Sequence, residues 1–353
     1  GAPRRRVRAR WGDLSVGSLE LGNYRQLEVA GLLDEQISAM VRRLGTDLVL
    51  GKYNEARAVY TAPAFRVVTN DGPAWRTVHI GLDFFADAGK EVVAAYGGTV
   101  FSLANNQAEK DYGPTIILEH RVSPDLRFYT LYGHLGMDCL SRLKVGQEVQ
   151  AGEVIADIGD WSVNGHWTPH LHFQLMLDLL GMEGDFPGVC THHNAPVWTS
   201  ICPDPWLFIS GENCPAAPAM SNEQIVSFRK EHIGKNLSIS YRQPIKMVRG
   251  AGQFLIDDGG RKYLDTVNNV AHVGHEHPRV VAAGQRQMAV LNTNTRYLHE
   301  NLVRFVDELL STMPPELNVA FLVNSGSEAN ELAMRLAKTY TGQQDMIVSE
   351  VGY

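Results

Sequence analysis

From about Phe65 to Leu177 the chain is cut into short β-rich runs by Gly, Asn and Asp turns, and this punctuation limits the fold more than any other feature. The runs are Thr77–Phe84, Glu91–Ser102, Thr115–Glu119, Phe128–Tyr132, Glu153–Ile158 and His170–Leu177. Brief strands joined by turn residues at this spacing predict an antiparallel β-sandwich or barrel. Within it, Leu143–Gly159 places Gly146 and Gly152 at tight turns between strands. Upstream, Leu32, Leu33, Ile37, Met40, Val41 and Leu44 recur at helical spacing, which predicts a helix over Val29–Leu44 that stops at Gly45.

The pattern changes after the Pro- and Cys-containing stretch Pro203–Ser221. Beyond it a hairpin (Gln253–Tyr263) is followed by helices over Pro278–Ala289 and Asn301–Met313, an apolar strand Val319–Val323, and a helix opening near Ser327. Such alternation is that of an α/β domain. A length of 353 residues accommodates two domains. The expected division is a helical linker or tail of a missing upstream domain over residues 1–60, a β-rich domain over 61–208, a linker over 209–222, and an α/β segment over 223–353. The start at Gly1 and the stop at Tyr353, inside an opening domain, read as the ends of a fragment.

The β-rich part also carries the chemistry. His79 and Asp83 stand four apart in VHIGLDF, and an extended run would put both on one strand face. His170 and His172, two apart in PHLHF, share a face in a strand and diverge in a helix. His134 ends an apolar strand beside Gly133. Catalytic zinc takes three nitrogen or oxygen donors and leaves a fourth position to water, a set that two His and one Asp supply. Each motif alone is weak, and a lone histidine such as His134 is commonly an ordinary core or surface residue; their co-occurrence in one β-rich segment is the signal. His166, His192 and His193 read as loop residues and stay outside the site.

Taken together, His79, Asp83, Tyr132-Gly133-His134-Leu135, Val145–Gly159 and His170-Leu171-His172-Phe173 resemble the lysostaphin/LytM family of peptidoglycan endopeptidases over about a third of the chain. The resemblance implies a zinc metallopeptidase acting on a peptide substrate, with His79, Asp83 and His172 as zinc ligands. It implies that His134 and His170 activate water and steady the tetrahedral intermediate. The chain departs from the family at WSVNGHWTPHLH, where TG often precedes the HxH motif, and the substrate groove is expected to differ there. Mn²⁺ and Co²⁺ also suit a donor set that contains Asp.

A second resemblance covers another third. GGRKYLDTVNNVAHVGHEHPRVVAA (Gly259–Ala283) and FLVNSGSEANELAMRLAK (Phe321–Lys338) are similar to the N-terminal portion of class III pyridoxal-phosphate aminotransferases, of fold type I. Ser325, Gly326 and Ser327 open a helix, where backbone N–H groups suit a phosphate. The same residues also read as a plain capping box. The resemblance implies that they cradle the cofactor phosphate, that Tyr353 covers the pyridine ring, and that pyridoxal phosphate belongs to the full-length parent. It also implies that the Schiff-base lysine lies beyond residue 353, so the transaminase part is expected to be incomplete here, and it leaves room for a homodimer through that part. The fusion further resembles large proteins that add a kinase-like domain upstream, although residues before Tyr60 carry no phosphotransferase motif.

The remaining features narrow the function classes. With 39 acidic and 32 basic residues the net charge is −7, and the basic run Arg4–Arg10 is terminal, so a nucleic-acid surface is not expected. No apolar run is long enough to span a bilayer, and no membrane partner is expected. Cys139, Cys190, Cys202 and Cys214 lack CxxC spacing, which together with the missing signal-peptide core points to reduced thiols and a cytoplasmic protein. Three functions remain: a working metallopeptidase; a LytM-like scaffold without catalysis; and a parent whose activity is class III transaminase or amino-phospho-lyase chemistry.

Overall fold

The computed structural model describes residues 8–27, 31–60, 63–69, 72–124, 126–215, 220–268 and 271–350. The chain divides into two compact units, Gly1–Val281 and Ala282–Tyr353.

The first unit is built on an eight-stranded sheet. Its order is Ala9–Trp11, Leu48–Gly51, Leu82–Phe85, His170–Met176, Leu126–Gly133, Gly113–Ser123, Gly98–Asn106 and Glu148–Val149. All neighbours are antiparallel except the first pair, which is parallel. The sheet is open, with Ala9–Trp11 and Glu148–Val149 at its edges, so the expected barrel closure is not what forms. Smaller sheets flank it: Val154–Asp157 with Glu91–Val93, and Val189–Cys190, Val78–His79 and Glu55–Ala56 in that order.

Alternation explains why the central strands are nearly continuous apolar runs. Ile116 and Leu118 point into one core with Tyr132, Ile155 and Phe173. Ile117, between them, points into the opposite core with Leu131, Met176 and Phe186. A strand covered on both faces needs apolar residues at every position, unlike the alternating strands of a half-exposed sheet. Gly146 and Gly152 have φ of 85° and 80°, the left-handed turns expected of them.

Residues 9–60 hold more strand than a helical linker would. Ala9–Trp11 and Leu48–Gly51 extend the main sheet through the pairing of Leu48–Gly51 with Leu82–Phe85. The helix Leu32–Leu44 ends at Gly45 in the left-handed conformation and buries Ile37 and Met40. These two pack with Leu14, Leu21, Val49 and Phe85 into a third core. The start expected at Val29 lies outside the described residues.

Further along, Met247–Ala251 joins Phe254–Asp257 and Lys262–Leu264 to make the expected hairpin a three-stranded sheet. This sheet belongs to the first unit, and Arg249 ties it down. Arg249 Nη1 donates to the carbonyls of Val16 and Ser18, its Nη2 to that of Gly22, and its Nε to Glu276. The second unit contains the helices Glu300–Leu310 and Gly326–Thr341, neither with a buried residue. The strand expected over Val319–Val323 is not formed; a strand needs a partner for its ladder, and none of the described residues pairs with it.

Candidate metal centre

The site begins as one row across the sheet. Gly51 pairs with Asp83, Asp83 with His172, and His172 with Gly133, so Asp83 and His172 project side by side from one face. His170 lies two residues before His172 in the same strand and emerges on that face too, as its spacing requires. A glycine flanks the row at each end: a Cβ on Gly51 would meet Arg57 Nη2 at 2.7 Å, and one on Gly133 would meet the Tyr112 ring at 2.6 Å.

His79 arrives differently from the expectation. The strand is broken at Ile80-Gly81: Val78–His79 belongs to a small flanking sheet and Leu82–Phe85 to the main one. Period-two alternation within one strand therefore does not bring His79 to Asp83; the step between two sheets does. Gly81 lies at that step, and a Cβ there would strike the His172 ring at 2.6 Å.

His79 Nε2, His172 Nδ1 and Asp83 Oδ1 converge, with separations of 3.0 Å, 3.1 Å and 3.2 Å. The outer atom of each side chain is engaged elsewhere. His79 Nδ1 faces the Lys52 carbonyl at 3.1 Å, and His172 Nε2 faces Gln174 Oε1 at 3.0 Å. Arg57 Nη1 donates to Asp83 Oδ2 at 2.5 Å. With both outer ring nitrogens donating, the inner ones present lone pairs to each other, an arrangement that calls for a cation or a proton between them. Zinc–ligand bonds of about 2.0–2.1 Å in tetrahedral geometry set donor atoms about 3.3 Å apart, close to the separations found. Among the described residues this is the one group of His, Cys, Asp or Glu whose donor atoms meet in this way.

His134 and His170 stand beside the trio with ring centroids 4.3 Å apart. His134 Nδ1 donates to the Asn164 carbonyl at 2.9 Å and His170 Nδ1 to that of Thr168 at 2.7 Å, leaving each Nε2 to accept. His134 Nε2 is thus the unprotonated nitrogen, and His170 Nε2 lies 3.7 Å from Asp83 Oδ1. His134 holds a left-handed backbone, φ 63°, fixed by its N–H to the Tyr112 carbonyl and by Gly159 N–H to its own carbonyl.

All five residues are at most 5% exposed. Burial, followed by the Arg57 charge, lowers the His79 pKa to about 4. Burial, then the neighbouring histidines His170 and His172, holds His134 well below its ordinary value, and burial lowers His170 as well. For Asp83 burial favours the neutral acid, but His79, Arg57 and His170 together outweigh it and hold the carboxyl well below the usual range. Asp83 is therefore a carboxylate and His79, His134 and His170 are neutral imidazoles at pH 7, the protonation states in which such groups bind a metal.

Sequence reasoning missed the supporting shell. Arg57 is buried, pairs with both Asp83 and Glu55, and also reaches the Lys52 carbonyl and the Tyr60 hydroxyl. Gln174 continues the His170-x-His172 alternation, so the same period would have found it; nothing in the sequence near Arg57 marks its role. His166 and His192 sit apart: the His166 ring lies tilted against Trp161 at 4.3 Å, and a Cβ on Gly259 would meet His192 at 2.7 Å.

The second expected site is described only in part. Ser325 is the N-cap of Gly326–Thr341, its hydroxyl accepting from Glu328 N–H at 3.2 Å while Glu328 Oε2 accepts from Asn324 N–H at 2.7 Å. This is a capping arrangement, and Gly326 and Ser327 form the first turn. Tyr353 lies outside the described residues.

The geometry thus brings together a buried cluster of three donors suited to a metal ion, flanked by a histidine pair. Residues 77–182 match the model of Peptidase family M23, and residues 238–352 match that of Aminotransferase class-III. The chain thus carries a segment similar to Peptidase family M23 followed by one similar to Aminotransferase class-III. It is 49% identical over 142 residues to an alanine–glyoxylate aminotransferase 2-like protein of Drosophila melanogaster, a match covering 40% of this chain and 29% of that protein. It is 42% identical to ethanolamine-phosphate phospho-lyase homolog 1 of Caenorhabditis elegans, covering 39% of this chain and 31% of that one. The chain therefore spans less than a third of either curated relative. The catalytic domain of the antimicrobial peptidase lysostaphin from Staphylococcus simulans is 26% identical, covers 38% of this chain and 80% of its own, and has a TM-score of 0.26. No described helix is long and apolar enough to cross a membrane.

Proposed function

We propose that the M23 segment is a zinc-dependent peptidase, with His79, Asp83 and His172 holding the metal and His134 and His170 handling protons. The observation that carries this reading is the 3.0 Å approach of two imidazole nitrogens whose outer partners are both acceptors. Bound there, zinc would bring the pKa of a water to about 7 and polarise the scissile carbonyl. Asp83 is restricted to one donor oxygen because Arg57 occupies the other. Neutral His134 and His170, each with Nε2 unprotonated, are suited to take the proton of the attacking water and pass it to the amine. Water's oxygen ends on the carbonyl carbon, the C–N bond breaks, and the amine leaves protonated.

The test is metal content and peptide hydrolysis of wild type beside two variants. Wild type should hold about one zinc and cleave. His172→Ala should lose the metal, and His134→Ala should keep it while hydrolysis falls by about 10²–10⁴-fold. Zinc bound without cleavage of any peptide would favour the alternative, a scaffold, which the low exposure of all five residues also suits.

For the longer protein to which this chain corresponds, we propose class III transaminase or amino-phospho-lyase chemistry with pyridoxal phosphate, supported by the names of the two relatives above. Ser325, Gly326 and Ser327 would hold the phosphate at the helix N-terminus. Cytoplasmic residence belongs to the same proposal, supported by four free cysteines.

A further inference from the structure

Resting on the peptidase reading, we infer that the metal site acts on compact amides of about dipeptide size and excludes polymeric peptide. The site opens into a cavity of about 180 Å³ lined by His79, Asp83, His134, His170 and His172. A cavity of about 150 Å³ accommodates benzene with its six carbons, so this one suits a molecule only a little larger, and glycylglycine, with about nine non-hydrogen atoms, is near the upper limit. An extended pentapeptide would need a groove about 17 Å long.

What restricts the space is the chain that precedes the M23 match. Leu14, Leu21, Leu33, Ile37 and Phe65 line the same cavity as the histidines, and all but Leu33 are buried. This wall is integral to the fold. Strands Ala9–Trp11 and Leu48–Gly51, which bracket Leu14, Leu21, Leu33 and Ile37 in the sequence, are hydrogen-bonded into the main sheet. Arg57, from the same stretch, is ion-paired to the metal-site carboxylate, with Glu55 balancing its charge. Arg249 binds three backbone carbonyls, those of Val16, Ser18 and Gly22. Withdrawing the wall to admit a polymer would break a sheet edge, a buried ion pair and this clamp together, whereas a small amide fits the space left. The Phe85 ring stacks on His170 at 4.8 Å, and beside the apolar wall the cavity is also lined by Arg76, Glu109, Lys110, Asp111 and Asp185.

The test uses the full chain loaded with Co²⁺, whose visible absorption responds when a ligand reaches the metal. Glycine hydroxamate and tetraglycine hydroxamate carry the same metal-binding group and differ in length. The small ligand should shift the spectrum at a concentration at least tenfold lower than the large one, and glycylglycine should be hydrolysed where pentaglycine is not. Trimming the wall with Leu14→Ala and Phe65→Ala together should reduce the tenfold gap. Equal responses to both ligands in metal-loaded protein, or a gap that trimming leaves unchanged, would overturn the size inference alone. A chain that takes up no metal would instead overturn the peptidase reading on which it rests.

Discussion

Arg57 shows how much of a site can depend on one residue outside any motif. Its guanidinium is buried between Asp83 and Glu55, and the two carboxylates are themselves buried. Removing one partner of a buried ion pair leaves uncompensated charge, so Arg57→Met should cost about 3–5 kcal/mol in the metal-free chain, measured by urea unfolding with a chelator present. The histidines make a second prediction. The pKa of His79 is lowered from 6.5 to about 4, and those of His134 and His170 are lowered too, so the unfolded chain takes up protons first as the solution is acidified. Their stabilising contribution is complete above pH 6.5 and is lost as the pH falls towards 4. Thermal melts of the metal-free chain should record a midpoint that declines across that window; a flat profile would contradict the burial of neutral imidazoles. At this scale the sequence was partly legible. His170 and His172 could be placed on one face because strand geometry follows directly from a spacing of two. Arg57 could not, because its contact with Asp83 spans 26 positions and is made by tertiary packing.

Elements tell a similar story with a different failure. The short runs between turn residues appear as strands near the expected places, because turn chemistry and apolar runs are local. His79 and Asp83 were read as one strand since nothing in VHIGLDF except Gly81 announces that the chain leaves one sheet for another. Gly81→Ala should therefore damage the site more than the fold: its Cβ would press on the His172 ring, and metal affinity measured by chelator competition should fall by about 10-fold or more. Ile117, fully buried in the core on one side of the sheet, gives the contrasting case. Ile117→Ala should lower stability by about 2–5 kcal/mol in denaturant unfolding while leaving metal affinity nearly unchanged. Val319–Val323 had the composition of a strand but lacks one among the described residues to pair with, which composition cannot reveal.

At the scale of the molecule, family boundaries and compact units do not coincide. The class III match begins at residue 238, yet the first compact unit runs to Val281. Arg249 is a reason for the overlap, since it lies in the aminotransferase segment and bonds the backbone at Val16, Ser18 and Gly22. Arg249→Ala should free that backbone, and limited proteolysis should cut at the described residues around Val16, Ser18 and Gly22 about tenfold faster with little change in the rest, because local opening sets the rate. The same contact bears on inheritance. A recombination joint placed between the two family segments would give the peptidase part a new neighbour without the arginine that holds its leading residues. The two segments are therefore best exchanged as a pair, and any descendant that separated them would need another contact to hold the backbone at Val16, Ser18 and Gly22.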